Sequence, residues 1–128
     1  LNVRMSLYRR LSDLISPREL EAFASELIDR FGSLPDEVEN LMSVMAIKLL
    51  CKRAGIDKVD VGPKGIVLQF RGNTFANPDK LLAWVEKNKR LITVRADMRL
   101  VYKRRLDSED ERIKSVKMLA KNMAALAA

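Results

Sequence analysis

The spacing of apolar residues changes once along this chain, at Gly55, and that change limits the fold more than any other feature. Before it, Leu20, Phe23, Leu27, Ile28 and Phe31 recur every three or four residues, as do Val38, Leu41, Met42, Met45 and Leu49. Such a repeat puts each set on one stripe of an α-helix. After it, Lys58-Val59-Asp60-Val61 alternates, Gly62-Pro63-Lys64-Gly65 is turn chemistry, and Ile66-Val67-Leu68-Gln69-Phe70 is a β-rich run. Those features predict a β-hairpin. A chain that begins helical and then turns to short strands belongs to the α+β class.

The punctuation fits that class. Leu1, Met5, Tyr8, Leu11 and Ile15 keep helical spacing and predict a first helix. Ser16-Pro17-Arg18-Glu19 then opens a second: Ser16 can cap free N–H groups, Pro17 suits the first position, and Glu19 completes a capping box. Gly32 stands where that helix ends, at a position that favours a left-handed residue. A third helix starts behind Leu34 with Pro35 in its first turn. Asp36, Glu37 and Glu39 complement its positive end, and Lys48, Lys52 and Arg53 lie towards the other. Gly55 stops it. The short Gly-Ser-Leu-Pro connection makes these two helices close neighbours. Asn77-Pro78-Asp79 opens a short helix carrying Leu81, Leu82, Trp84 and Val85. Strands follow over 91–94 and 98–102, joined around Arg95-Ala96-Asp97. Ser108 and Glu111 form a second capping box, before a last helix with Ile113, Val116, Ala120 and Met123 inward. The expected architecture is N-terminal helices, a small, mostly antiparallel sheet (ββαββ) and a C-terminal helix, as a single domain over 1–128.

Composition narrows the function. The 128 residues are 48% hydrophobic and 32% charged, which suits a folded globular chain. No apolar run reaches the ~18 residues of a membrane span, and the start lacks a signal-peptide core, so a cytoplasmic location is expected. Leu1 in place of Met suggests a piece of a longer protein. With no His and a single Cys there is no disulfide framework, no metal site and no Ser-His or Cys-His pair. Phosphate-loop and dinucleotide motifs are missing as well. No catalytic residue, no cofactor and no enzyme are expected in this chain. Cys51, beside Leu49 and Leu50, reads as a buried structural thiol.

The net charge of +7 is unevenly spread. Residues 56–106 hold twelve cations against five anions, while residues 17–55 hold five against seven. Lys87, Lys89, Arg90, Arg95 and Arg99, with Lys103-Arg104-Arg105, are dense enough to neutralise several phosphates, so a nucleic-acid-binding module is one reading. A solvated basic face is the blander one, since no helix-turn-helix, KH or RNP signature accompanies the charge. Trp84, Tyr102 and Phe70 sit among apolar neighbours and read as core. Glu26, Asp29 and Arg30 fall on the flank of their helix or away from its apolar stripe, with 26 and 30 one turn apart. By periodicity alone they are solvated surface, with Glu26 and Arg30 able to pair for ~0.2–0.5 kcal/mol.

The stretches SLYRRLS, ELIDRFGSLPDEVENLM and LLCKRAGIDKVDVGPKGIVLQF occur in an order that resembles the C-terminal domain of the bacterial transcription-repair coupling factors, the Mfd family. The likeness runs across nearly the whole chain. Its most specific part is Asp29-Arg30-Phe31-Gly32 followed by Leu34-Pro35, preceded by Tyr8-Arg9-Arg10-Leu11. The resemblance implies the last domain of an ATP-driven DNA translocase that removes stalled RNA polymerase and recruits the UvrA repair protein. ATP and Mg would belong to the upstream motor, not to this piece. It further implies a regulatory role, docking on the UvrB-like N-terminal module of the same protein and masking the UvrA-binding surface. The family's E-x-x-D-R contact motif is matched by Glu26, Asp29 and Arg30.

Overall fold

The computed structural model describes residues 16–128. The helix expected over 1–15, and the Tyr8-Arg9-Arg10-Leu11 motif, lie outside the described residues. The chain forms two compact units, one up to Leu49 and one from Leu50 to Ala128.

In the first unit, α1 spans Pro17–Phe31 and α2 begins at Asp36 and runs on to Ala54. Ser16 is the cap that the sequence predicts: its hydroxyl accepts the Glu19 backbone N–H at 3.2 Å. Gly32 ends α1, its N–H donating to the Ile28 carbonyl at 2.8 Å. Its φ of 78° is positive as expected, but its ψ of −139° lies outside the left-handed helical well, in a region open essentially to glycine alone. Pro35 offers its carbonyl to the N–H groups of Val38 and Glu39 and so starts α2. Leu20, Phe23, Leu27 and Met42 form the buried core here, with Leu34, Val38, Leu41, Met45 and Leu49 packed around them.

The second unit is a four-stranded antiparallel sheet in the order β1-β2-β4-β3, with two helices. Its strands are β1 (Ile56–Gly62), β2 (Gly65–Phe70), β3 (Ile92–Val94) and β4 (Leu100–Lys103); its helices are α3 (Pro78–Lys87) and α4 (Glu109–Ala127). The last two strands are shorter than the sequence predicts. Met98 is not in a strand: it sits in the β3–β4 turn at φ 67°, where its N–H donates to the Arg95 carbonyl. Asp97 decides this, because its carboxylate accepts the Arg99 N–H at 3.2 Å and curls the backbone locally.

Alternation sets the faces of the sheet. Ile66, Leu68 and Phe70 of β2 lie opposite Tyr102 and Leu100 of β4 and, one strand further, Ile92, and all are buried. On this face α3 contacts β3 and α4 contacts β1, so the helix pair spans the sheet. Leu81, Leu119 and Met123 close the core, each at most 1% exposed. Ser108 caps α4 by accepting the Glu111 N–H at 3.1 Å. The reciprocal arm reaches one residue further back, Glu111 accepting from the Asp107 N–H. The other sheet face carries Asp60, Val67, Gln69, Val101, Thr93 and Lys103.

The β1–β2 connection is tight. Pro63 and Lys64 form a two-residue loop between the paired Gly62 and Gly65. Proline holds its φ near −65°, which excludes the primed turns that usually close such hairpins. Gly65 absorbs the mismatch at φ 142°, and a Cβ there would meet the Tyr102 carbonyl oxygen at 2.0 Å.

Candidate interaction surface

The first candidate surface lies on α1. Leu20, Phe23 and Leu27 turn one side of the helix inward, and the other side is left for polar groups. Asp29 and Arg30 are exposed and Glu26 is half-buried. No ion pair among the described residues joins Glu26 to Arg30, so the surface pair that spacing allows is not formed. The Arg30 guanidinium carbon lies instead 5.1 Å from the centre of the Phe31 ring, a cation–π distance.

Two apolar residues depart from the expected stripe. Ile28 is 51% and Phe31 50% exposed, although both keep helical spacing with the core set. Each has a geometric reason. Ile28 lies about 100° round the helix from the fully buried Leu27. Phe31 is the last residue of α1, where Gly32 turns the chain away before the ring is covered. The end of α1 therefore presents Ile28, Asp29, Arg30 and Phe31 together. Sequence reasoning missed the apolar half of this surface, and the position of Phe31 just before the helix-ending glycine was the available signal.

The second candidate surface is basic. Lys87, Lys89, Arg90, Arg95 and Arg99 are all exposed, but the fold does not bring them to one place. Lys89 pairs with Glu86 at 3.2 Å and Arg99 with Asp97 at 3.6 Å. Arg95 and Arg99 belong to the β3–β4 turn, at one end of those strands. At the other end, Lys103 donates its backbone N–H to Leu91, next to Arg90, and Arg104 donates to the Lys64 carbonyl. Lys64, outside the linear run of basic residues, thereby joins Arg90, Lys103 and Arg104. The Arg104 guanidinium also donates to the Tyr102 hydroxyl at 3.2 Å, which raises an already high pKa and keeps the charge fixed.

No group of three or more His, Cys, Asp or Glu among the described residues is placed to hold a metal. Cys51 is half-buried, and burial pushes its thiol above the ordinary range, the opposite of an activated nucleophile. No helix among the described residues is long and apolar enough to cross a membrane.

A family model, the TRCF domain, matches residues 1–81. The chain belongs to the TRCF domain family. It is 38% identical over 104 residues to the transcription-repair-coupling factor of Rickettsia conorii, covering 81% of this chain and 9% of that protein. The corresponding protein of Haemophilus influenzae is 32% identical over 114 residues, 89% of this chain and 10% of its own length. That of Escherichia coli is 29% identical over 123 residues, 96% of this chain and 11% of its own length. The chain thus spans about a tenth of the length of the curated relatives it matches. A crystal structure of the C-terminal domain of transcription-repair coupling factor has the same fold, with a TM-score of 0.74 at 20% identity, over 99% of this chain and 82% of that one. The TRCF match includes α1 and the Glu26, Asp29 and Arg30 positions, and ends inside α3 at Leu81.

Proposed function

We propose that this TRCF-family chain is the regulatory domain of a cytoplasmic, bacterial transcription-repair coupling factor, the last part of a longer ATP-driven DNA translocase. In this reading it docks on the UvrB-like module of its own protein through Glu26, Asp29 and Arg30. The contact masks the UvrA-binding surface until the motor engages stalled RNA polymerase on DNA. The domain itself performs no catalysis and holds no cofactor.

The observation that supports this reading best is the end of α1. Asp29 and Arg30 stand exposed on a helix capped at both ends, with Ile28 and Phe31 half-exposed beside them. An apolar patch beside fixed charges of both signs is a surface built for another protein, with charge setting orientation and partner choice. It also suits a clamp that has to open, because a few polar contacts and two apolar side chains are a modest interface. Opening requires only a ligand that favours the released form by a comparable differential free energy.

The test is a titration of the isolated UvrB-like module with this chain and with its Asp29→Lys variant. Charge reversal is expected to weaken binding by about tenfold or more, from loss of an attraction and gain of a repulsion. Asp29 is exposed, so the variant should keep the wild-type thermal midpoint. Equal affinity of the two proteins would remove the docking assignment.

A further inference from the structure

We infer that the hairpin end of the sheet is a sequence-independent contact for the phosphate backbone of duplex DNA. Three separate chain segments deliver cations there. Lys64 comes from the β1–β2 turn, Arg90 from the residue before Leu91, and Lys103 and Arg104 from the end of β4. Backbone hydrogen bonds hold these segments together: Lys103 N–H to the Leu91 carbonyl at 2.7 Å, and Arg104 N–H to the Lys64 carbonyl at 3.3 Å. None of the four cations enters an ion pair among the described residues. Neighbouring basic residues do, Lys89 with Glu86 and Arg105 with Asp107, which sets these four apart from the paired cations beside them.

The surface between these cations is shaped as well as charged. Lys64 and Lys103 border an open depression of about 720 Å³ whose lining includes Val67, Val101 and Tyr102. Aliphatic walls screen a nearby charge less than water does, which strengthens the attraction for an anion. Asp60 also lines the depression, and Lys58 lies 3.9 Å from its carboxylate and offsets it. The rigid frame follows from Gly65: no other residue allows the Lys64 turn to approach β4 so closely.

Duplex rather than single-stranded nucleic acid follows from the aromatic residues. Single strands are gripped by exposed rings on which bases stack. Tyr102 is 3% and Phe70 1% exposed, so neither offers a face. A patch of cations without a stacking platform or base-reading side chains suits the regular phosphates of a duplex.

The experiment measures fluorescence anisotropy of a labelled duplex of about 20 base pairs with the whole chain, across a salt series from about 25 mM. Four phosphate contacts predict a log–log salt slope of about −3 to −4, with weak, sequence-independent affinity. The Lys64→Glu, Lys103→Glu double variant is expected to lose about tenfold or more at the low-salt end. Arg95→Glu, Arg99→Glu, at the opposite end of β3 and β4, should lose only a few-fold. The milder Lys64→Gln, Lys103→Gln pair serves if the reversals disturb folding, and should give an intermediate loss. No binding at low salt, a flat salt dependence, or equal losses in the two charge-reversal pairs would overturn the inference. So would tighter binding of a single strand, or displacement of the duplex by polyglutamate at equal charge, which would assign the patch to an acidic protein.

Discussion

Replacing Gly65 with Ala tests the reasoning about the sheet most sharply. Two costs arise together. The backbone at φ 142° is one that L side chains rarely adopt, worth about 1–3 kcal/mol. The new methyl would also stand 2.0 Å from the Tyr102 carbonyl oxygen, with Tyr102 carbon and the Arg104 nitrogen next nearest at 3.1 and 3.3 Å. All three are backbone atoms, so no flexible side chain can yield. Strand β4 has to move away from the turn, at an overpacking cost of about 1–3 kcal/mol. The sum, about 2–6 kcal/mol, is a large fraction of the 5–15 kcal/mol typical of a whole domain. Urea unfolding followed by the fluorescence of Trp84, the single tryptophan, reads this directly because Trp84 lies in α3 of the same unit. Gly62→Ala is the internal control: no atom lies within 4 Å of a Cβ there and its φ is ordinary, so it should be neutral or slightly stabilising. If Gly65→Ala unfolds within about 0.5 kcal/mol of wild type, the close approach of the hairpin to β4 is refuted.

Two further outcomes follow from the caps and the thiol. Ser108→Ala removes the hydroxyl that accepts the Glu111 N–H at the start of α4, and should lower stability by about 1 kcal/mol, measured as a shift of the urea midpoint. Burial disfavours the Cys51 thiolate and so raises its pKa. Iodoacetamide should therefore label Cys51 more slowly in the folded chain than in urea at pH 8, with the gap narrowing as pH rises through the folded-state value. The linkage runs the same way: the stability tied to the neutral thiol is complete below the unfolded pKa and declines at alkaline pH. Equal labelling rates at pH 8 would show that the thiol is not shielded.

Much of the helix layout was legible because its signals are local. Ser16 and Ser108 act within three residues of themselves, and Pro35, Gly32 and Gly55 act on their own backbone. Those effects need no tertiary partner, and the structure places each cap and stop where the residue type requires it. Strand limits near residue 98 were harder to read, since Met98 is apolar and runs into the strand preference of Val101 and Tyr102. The neighbouring Asp97 side chain, by bonding the Arg99 N–H, outweighs that preference. Burial was legible only on average. Ile28 and Phe31 share the period of the core set, but whether a periodic residue is covered depends on its angle from the packed side and on where its own helix ends.

The charges divide the same way. The total of +7 and its concentration after residue 56 are properties of the sequence alone, as are the α+β class and the E-x-x-D-R spacing on one helix. Which cations act together is decided by strand pairing. Arg95 and Arg99 are close in sequence to Arg90 yet lie at the far end of their strands, while Lys64, 39 residues before Lys103, sits against it through the Gly65–Lys103 pairing. Linear order therefore groups residues that the fold separates, because an antiparallel sheet joins positions by register and not by distance along the chain.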